Sequence, residues 1–302
     1  MESEAPRGLL IAEDAKTVAM LQRVASAAQF PLRWISTVDE IAAEQIADYS
    51  LLVLGESVLG GAVGSQVELL RRGAHPSLRI AVVDESQDRR AALDRILVQH
   101  ADHLIPAGTS EDVLFATLRK LGSGTFFGLE RYLLPGVNAD FWTLGSSDEK
   151  TPVLDQLRAS ADRVNCHPRI TDLLLSAVDE MIINAIYRPV PSAETTGRSV
   201  RPVTVACATD GRFLAVSVRD EHGLFRHEDL IRAIRKALVH EERGIAETAV
   251  HASLGFRLML AALSHLAINV EPGRRTEIIG LVDLRLSLKE YRSAVPGLGM
   301  FT

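Results

Sequence analysis

Residues 173–186 read LLLSAVDEMIINAI, and this stretch decides how the second half of the chain folds. Leu173, Leu174, Ala177, Val178, Met181, Ile182, Ala185 and Ile186 recur at i, i+3 and i+4, the spacing of one buried helical face. Pro189 ends the pattern, because proline lacks an amide hydrogen and its ring clashes with the preceding turn. Glu180 and Asn184 stand four residues apart and share a different face. Such a pair is ordinarily solvated, and an asparagine inside a helix is mildly unfavourable. Its meaning depends on the elements around it.

Upstream, Leu154, Leu157, Ala161 and Val164 predict a helix ending near Asn165. Downstream, residues 203–208 and 213–218 predict a hairpin, with Asp210-Gly211 as the turn signal. The second strand runs into Asp220-Glu221-His222-Gly223-Leu224-Phe225. A polar helix follows over 228–242, then a loop through Gly244 and Ser253-Leu254-Gly255, then an apolar helix over 256–266. Residues 268–270, the turn 271–275 and residues 276–286 predict a closing hairpin.

The first half alternates differently. Short apolar runs at 9–12, 32–35, 51–54, 80–83 and 103–105 predict five strands. Helical spacing separates them: Val18, Leu21, Val24 and Ala25; Ile41, Ala42 and Ile46; Val67, Leu69 and Leu70; Ala92, Leu93, Ile96 and Leu97; Val113, Leu114, Thr117 and Leu118. Five continuous apolar strands alternating with five helices predict a parallel sheet covered on both faces, with ligands at the C-terminal strand ends. Residues 123–150 mix aromatics with Gly128 and Pro135-Gly136 and read as a connector.

Composition removes several classes. The 302 residues are 47% hydrophobic and 24% charged, which rules out disorder and fibrous folds. A net charge of −6 argues against nucleic acid held through bulk charge. No apolar run reaches membrane-spanning length, and the polar, acidic MESEAPRG start is unlike a signal peptide. Two cysteines are too few for a disulfide framework, so a reduced, cytoplasmic setting is expected.

In their order, the motifs of the second half resemble the GHKL ATPase superfamily of histidine kinases, gyrase-type topoisomerases, heat-shock chaperones and anti-sigma serine kinases. The resemblance covers about residues 150–290 and implies an α/β sandwich with a mixed sheet and helices on one face. Glu180 to Ala185 matches the E-x-x-x-N-A box. Asn184 would then hold the magnesium ion that bridges the nucleotide phosphates, and Glu180 would be the catalytic acid or base. Asp220 would accept from the adenine amino group, with Gly223 in the same box. His251-Ala252-Ser253-Leu254-Gly255 aligns with a G-x-G-x-G phosphate loop and keeps one glycine, Gly255. Thr276, in GRRTE, matches the threonine after the last turn. The resemblance thus implies ATP and magnesium as cofactors, at a degenerate site.

Residues 1–122 resemble a response-regulator receiver, a flavodoxin-like fold. Glu13-Asp14 fits the acidic pair after the first strand. Gly55 stands where the phosphoacceptor aspartate belongs, Asp84 where a hydroxyl residue belongs, and Ala107-Gly108 where lysine and proline belong. Receiver chemistry needs a carboxylate acceptor, a metal and groups that hold the phosphoryl oxygens. The resemblance is therefore to a pseudo-receiver, a partner-binding or dimerising module, with residues 104–121 as its expected docking face. The segments GLERYL, DEMIINAIYRP, DEHGLF and EPGRRTEIIGLVDLR are also similar to bacterial fusions of a receiver-like domain with a GHKL domain.

The expected division is a pseudo-receiver over 1–122, a connector over 123–150 and a GHKL domain over 151–302. Two functions follow. One is a cytoplasmic signalling scaffold that binds ATP weakly or has lost binding and acts through protein partners, including a second copy of itself. The other is an anti-sigma-type serine/threonine kinase using ATP and magnesium. The connector has no room for a histidine-bearing helical hairpin, so phosphotransfer from histidine is not expected.

Overall fold

Strand formation in the first half follows its apolar runs closely. In the computed structural model, which describes residues 8–37, 49–59, 78–86, 88–187, 198–243 and 251–302, the chain forms two compact units. The first comprises 1–126 with 297–299, the second 127–296 with 300–302.

In the first unit, β1 (Gly8–Ile11), β2 (Leu32–Ile35), β3 (Leu51–Leu54), β4 (Arg79–Asp84) and β5 (His103–Pro106) pair in parallel, in the order β2-β1-β3-β4-β5. This is the flavodoxin-like doubly wound order. Every residue of β1, β3 and β5 is buried, as a parallel sheet covered on both faces requires. The described helices are α1 (Ala15–Ala27), α2 (Arg89–Gln99) and α3 (Glu111–Ser123). Asp14, Asp88 and Ser110 cap their N-termini by accepting from otherwise unpaired backbone N–H groups. Leu10, Leu21, Phe30, Val53 and Leu118 belong to one core cluster. The helices expected around 41–46 and 67–70 lie outside the described residues.

Two expectations for this unit need correction. A sixth strand, β11 (Gly297–Phe301), pairs antiparallel with β5, Leu298 opposite Leu104 and Gly299 opposite His103. The sheet is therefore not closed by β5. The expected docking face narrows to one side of α3: Leu104 and the stripe Val113, Leu114, Thr117 and Leu118 are buried, with Ala116 and Lys120, while Glu111, Asp112 and Arg119 are exposed.

In the second unit, the elements are β6 (Asp140–Ser146), α4 (Lys150–Arg163), α5 (Pro168–Tyr187), β7 (Arg198–Thr209), β8 (Phe213–Asp220), α6 (His227–Arg243), α7 (His251–Ala262), β9 (His265–Glu271), β10 (Arg275–Asp283) and α8 (Leu288–Ser293). The strands pair in the order β9-β10-β8-β7-β6, and all four pairs are antiparallel. Parallel and antiparallel pairs mix across the chain, but the mixed sheet expected inside this unit is antiparallel in these five strands. Tight turns join β7 to β8 and β9 to β10, and a tight turn can only return the chain antiparallel.

Asp210-Gly211 makes the first of these turns: Gly211 takes φ +85°, and the Asp210 carboxylate accepts from the amides of Arg212 (2.9 Å) and Phe213 (2.8 Å). Strand β6 falls in the stretch expected as a connector. So does the turn at Leu129–Tyr132, whose Leu129 and Tyr132 are buried against β7 and β8. Helix α5 packs on β7 and β8 and against α4 and α7. Its buried face is rotated slightly from the expected stripe: Leu175 is buried and Leu173 only partly.

Candidate functional site

The sequence-predicted residues of the second unit fall into two groups and one outlier. The first group forms at the end of β8. Asp220 is its last residue and lies in register with Thr276 of β10. The Asp220 carboxylate accepts from the amides of His222 (2.9 Å) and Gly223 (3.3 Å). The loop can turn this way because Gly223 takes φ +62°. A Cβ at Gly223 would lie 2.2 Å from the Glu271 carbonyl oxygen and 2.6 Å from the Arg274 nitrogen. Glycine is required there twice over, by its backbone conformation and by the close approach of the β9–β10 turn. Gly273 N–H donates to the Gly223 carbonyl (3.0 Å) and ties that turn to the loop.

Asp220 is half-buried, and desolvation raises its pKa above the usual carboxylate value. The two amides, the nearby His222 and the Thr276 hydroxyl act in the opposite direction. Thr276 is itself buried. Its hydroxyl lies close enough to favour a charged Asp220, yet it completes no hydrogen bond. The Nε2 of His222 is likewise buried without a hydrogen-bond partner. A buried polar atom left unpaired costs about 1–3 kcal/mol, so this corner is chemically unfinished. A ligand offering an N–H donor to Asp220 and a polar partner to Thr276 would complete it.

The second group lies on α5. Glu180 and Asn184 are both half-buried, and the Asn184 side-chain amide donates to the Glu180 carbonyl oxygen (2.8 Å). This bond uses the nitrogen and orients the amide, so the oxygen is the atom suited to a hard cation. The neighbouring Asp179 pairs with Lys150 at the start of α4 (2.7 Å). Among the described residues, no cluster of three or more histidine, cysteine, aspartate or glutamate side chains could hold a metal by itself.

Gly255 is the outlier. Residues 251–255, expected as a phosphate loop, are the opening turns of α7, which packs against α5. Histidine and serine, which stand at 251 and 253 where the aligned loop has glycine, hold helical geometry better than glycine does. The expected helical end moves correspondingly, from 266 to Ala262, and β9 begins at His265.

The corner at the strand ends of the first unit is closed instead. Gly55 donates its N–H to the Ile11 carbonyl (2.8 Å), and a Cβ there would lie 2.8 Å from the Cβ of Ala12. Packing leaves no room for an acceptor side chain. Asp84 is fully buried and ion-paired to Arg95 of α2; the same guanidinium pairs with Glu56. Ser86 donates to Asp84 (3.1 Å), and Glu56 accepts from the amides of Glu85 (2.7 Å) and Ser86 (2.9 Å). Of the acidic pair, Asp14 is occupied in capping α1 through the Thr17 amide (2.6 Å), whose hydrogen bond lowers its pKa, and Glu13 is exposed.

Sequence reading missed Arg95 and Ser86, and it missed a buried pair in the second unit. Asn269 donates to Glu277 (3.0 Å), its register partner, and Glu277 also accepts from the amide of Gly128 (2.7 Å). A polar residue alternating with buried apolar ones in two adjacent strands was the available signal. Cys166 and Cys207 are buried and free. Burial raises the pKa of both, that of Cys207 to about 12, so neither is a nucleophile at neutral pH.

Neither a family model nor a curated protein matches this chain. Solved structures that do match include receiver-type proteins. A CheY-like protein from Pseudomonas aeruginosa is 18% identical over 39% of this chain and 93% of its own, with TM-score 0.33. An orphan response regulator of H. pylori is 18% identical over 38% of this chain and 95% of its own, with TM-score 0.31. The beryllofluoride-activated receiver-domain dimer of NtrC4 is 14% identical over 39% of this chain and 97% of its own, with TM-score 0.33.

Proposed function

We propose that this chain is a cytoplasmic signalling protein in which a receiver-like module that does not accept phosphate is coupled to a GHKL-type module with weak affinity for ATP, and that it acts through protein partners. The observation that carries the nucleotide half is the unfinished corner at Asp220. A half-buried carboxylate beside a buried hydroxyl that completes no hydrogen bond fits the edge of an adenine ring, whose amino group donates and whose ring nitrogens accept. Asn184 would supply one oxygen to magnesium, with phosphates and water filling the rest of the shell. Glu180, one turn away, would orient a hydroxyl or water. Phosphates would lie toward the N-terminal turn of α7, where backbone amides favour an anion. That turn has lost the glycines that let a backbone fold around phosphate, so weak binding is expected.

The pseudo-receiver half rests on Arg95. It pairs with both carboxylates beside the absent acceptor, Asp84 and Glu56, and so holds each of them away from phosphoryl chemistry.

The test is calorimetry of the whole chain with ATP and magnesium. Weak, adenine-selective heat that disappears in Asp220→Ala supports this reading, and ATP affinity unchanged in that variant overturns the pocket. The kinase reading is favoured by the coexistence of Glu180, Asn184 and Asp220. Transfer of labelled phosphate to a serine or threonine substrate, lost in Glu180→Gln, would establish it.

A further inference from the structure

Strand β6 is the outer strand of its sheet: it pairs with β7 on one side, and among the described residues no strand pairs with the other. Phe141 on this strand is 66% exposed, the largest value among the described large apolar side chains. Exposed edge strands are usually blunted by lysine, proline or inward-pointing charge. The sequence DFWTLGS over β6 carries no lysine or proline, and its single charge, Asp140, is exposed at the first residue. Its protection lies at one end, where the register is irregular after Leu144 and the Gly145 amide donates to Glu149 (3.0 Å).

We propose that β6 pairs antiparallel with β6 of a second copy of this chain, about a two-fold axis through Thr143. Directly opposed residues of an antiparallel pair share a sheet face. A two-fold axis normal to the sheet must therefore pass through a residue. Centred on Thr143, all of β6 is used. Phe141 faces Gly145, which leaves room for an aromatic ring. Trp142 faces Leu144, Asp140 faces Ser146, and Thr143 faces itself. Apolar residues meet apolar residues or glycine, and no like charges are opposed. A centre at Trp142 instead sets Asp140 against Leu144. A centre at Leu144 carries Phe141 past the strand end, against Ser147. The occupant that this strand fits best is its own copy. A single strand pair is a small interface, so the dimer is weak and concentration-dependent. It does not depend on nucleotide.

Sedimentation velocity of the full chain over a concentration series is the first measurement. A reversible monomer–dimer equilibrium is expected, weakened at least tenfold in Phe141→Lys and Thr143→Pro. Val98→Lys, which alters an equally exposed apolar residue on α2, leaves it unchanged. Register is tested by cross-linking. Opposed Cα atoms lie about 4.5–5.5 Å apart, within disulfide reach. Oxidised Thr143→Cys should therefore form a covalent dimer. Two copies of residue 141 would stand roughly 14 Å apart along the strands, so Phe141→Cys should not. Cys166 and Cys207 are buried and give little background. A chain that stays monomeric at every concentration, or that cross-links as readily through residue 141 as through 143, overturns the proposal.

Discussion

Asp84 and Asp220 begin alike and end differently. Each is the last residue of a buried strand, β4 in the first unit and β8 in the second. Asp84 receives a guanidinium from a neighbouring helix and a hydroxyl from Ser86, so its own oxygens are partnered from within the chain. Asp220 receives two backbone amides and faces a buried hydroxyl that has completed nothing. A carboxylate at a strand end is therefore not a site by position. It is a candidate only where the surrounding chain leaves part of its pairing unmade.

The sharpest break in this contrast is Arg95→Met. It strands Asp84 as a buried, uncompensated carboxylate, and removing one partner of such a pair costs about 3–5 kcal/mol. Denaturant unfolding of the full chain should show that loss, and Asp84→Asn in the same background should recover part of it. An unchanged midpoint would mean that the ion pair contributes nothing. Next in size is Gly223→Ala. A forced left-handed backbone costs on the order of 1–3 kcal/mol, and the methyl group meets the Glu271 carbonyl as well. Both stability and ATP binding should fall.

Asp220→Ala comes third, with a loss of about 1–3 kcal/mol in ATP affinity measured by titration. Its effect on the folded chain has the opposite sign to that of Arg95→Met. Because burial raises the Asp220 pKa, the folded state holds this proton more tightly than the unfolded state does. Stability from this group is fully present below the unfolded carboxylate pKa and is lost as pH rises through the folded value. Asp220→Asn should therefore raise the neutral-pH melting temperature slightly and flatten the stability profile above the ordinary carboxylate range. A lower melting temperature at neutral pH would count against that. The smallest expected effect is none: incubation with acetyl phosphate should leave the intact mass unchanged. A hydroxylamine-labile increase within 1–122, at Glu56 or Asp84, would erase the distinction between the two corners.

Much of this was legible in the sequence where a single local rule decides. Continuous apolar runs gave β1, β3, β4 and β5, and Asp210-Gly211 gave the β7–β8 turn. Motif order placed Asp220, Gly223 and Thr276 together, and the structure sets Asp220 in register with Thr276 and in hydrogen bond with the Gly223 amide. What escaped depends on distant partners. Arg95 looks like any solvated arginine on a helix until Asp84 and Glu56 are placed beside it. The strand at 297–301 is glycine-rich and short, and only pairing with β5 makes it a strand. In 251–255, alignment with a glycine loop competed with the helical preference of the residues that replaced the glycines, and local preference prevailed.

The pairing of Leu298 and Gly299 with β5 also bears on how the protein is made and handled. During synthesis, residues 1–126 emerge with the outer edge of β5 bare, and they stay so until residue 299 has left the ribosome. An open β edge held through that interval is a template for misassembly. Truncation at 126 makes the interval permanent. An isolated N-terminal fragment should aggregate where the whole chain does not, and a peptide spanning 295–302 supplied in trans should restore its solubility.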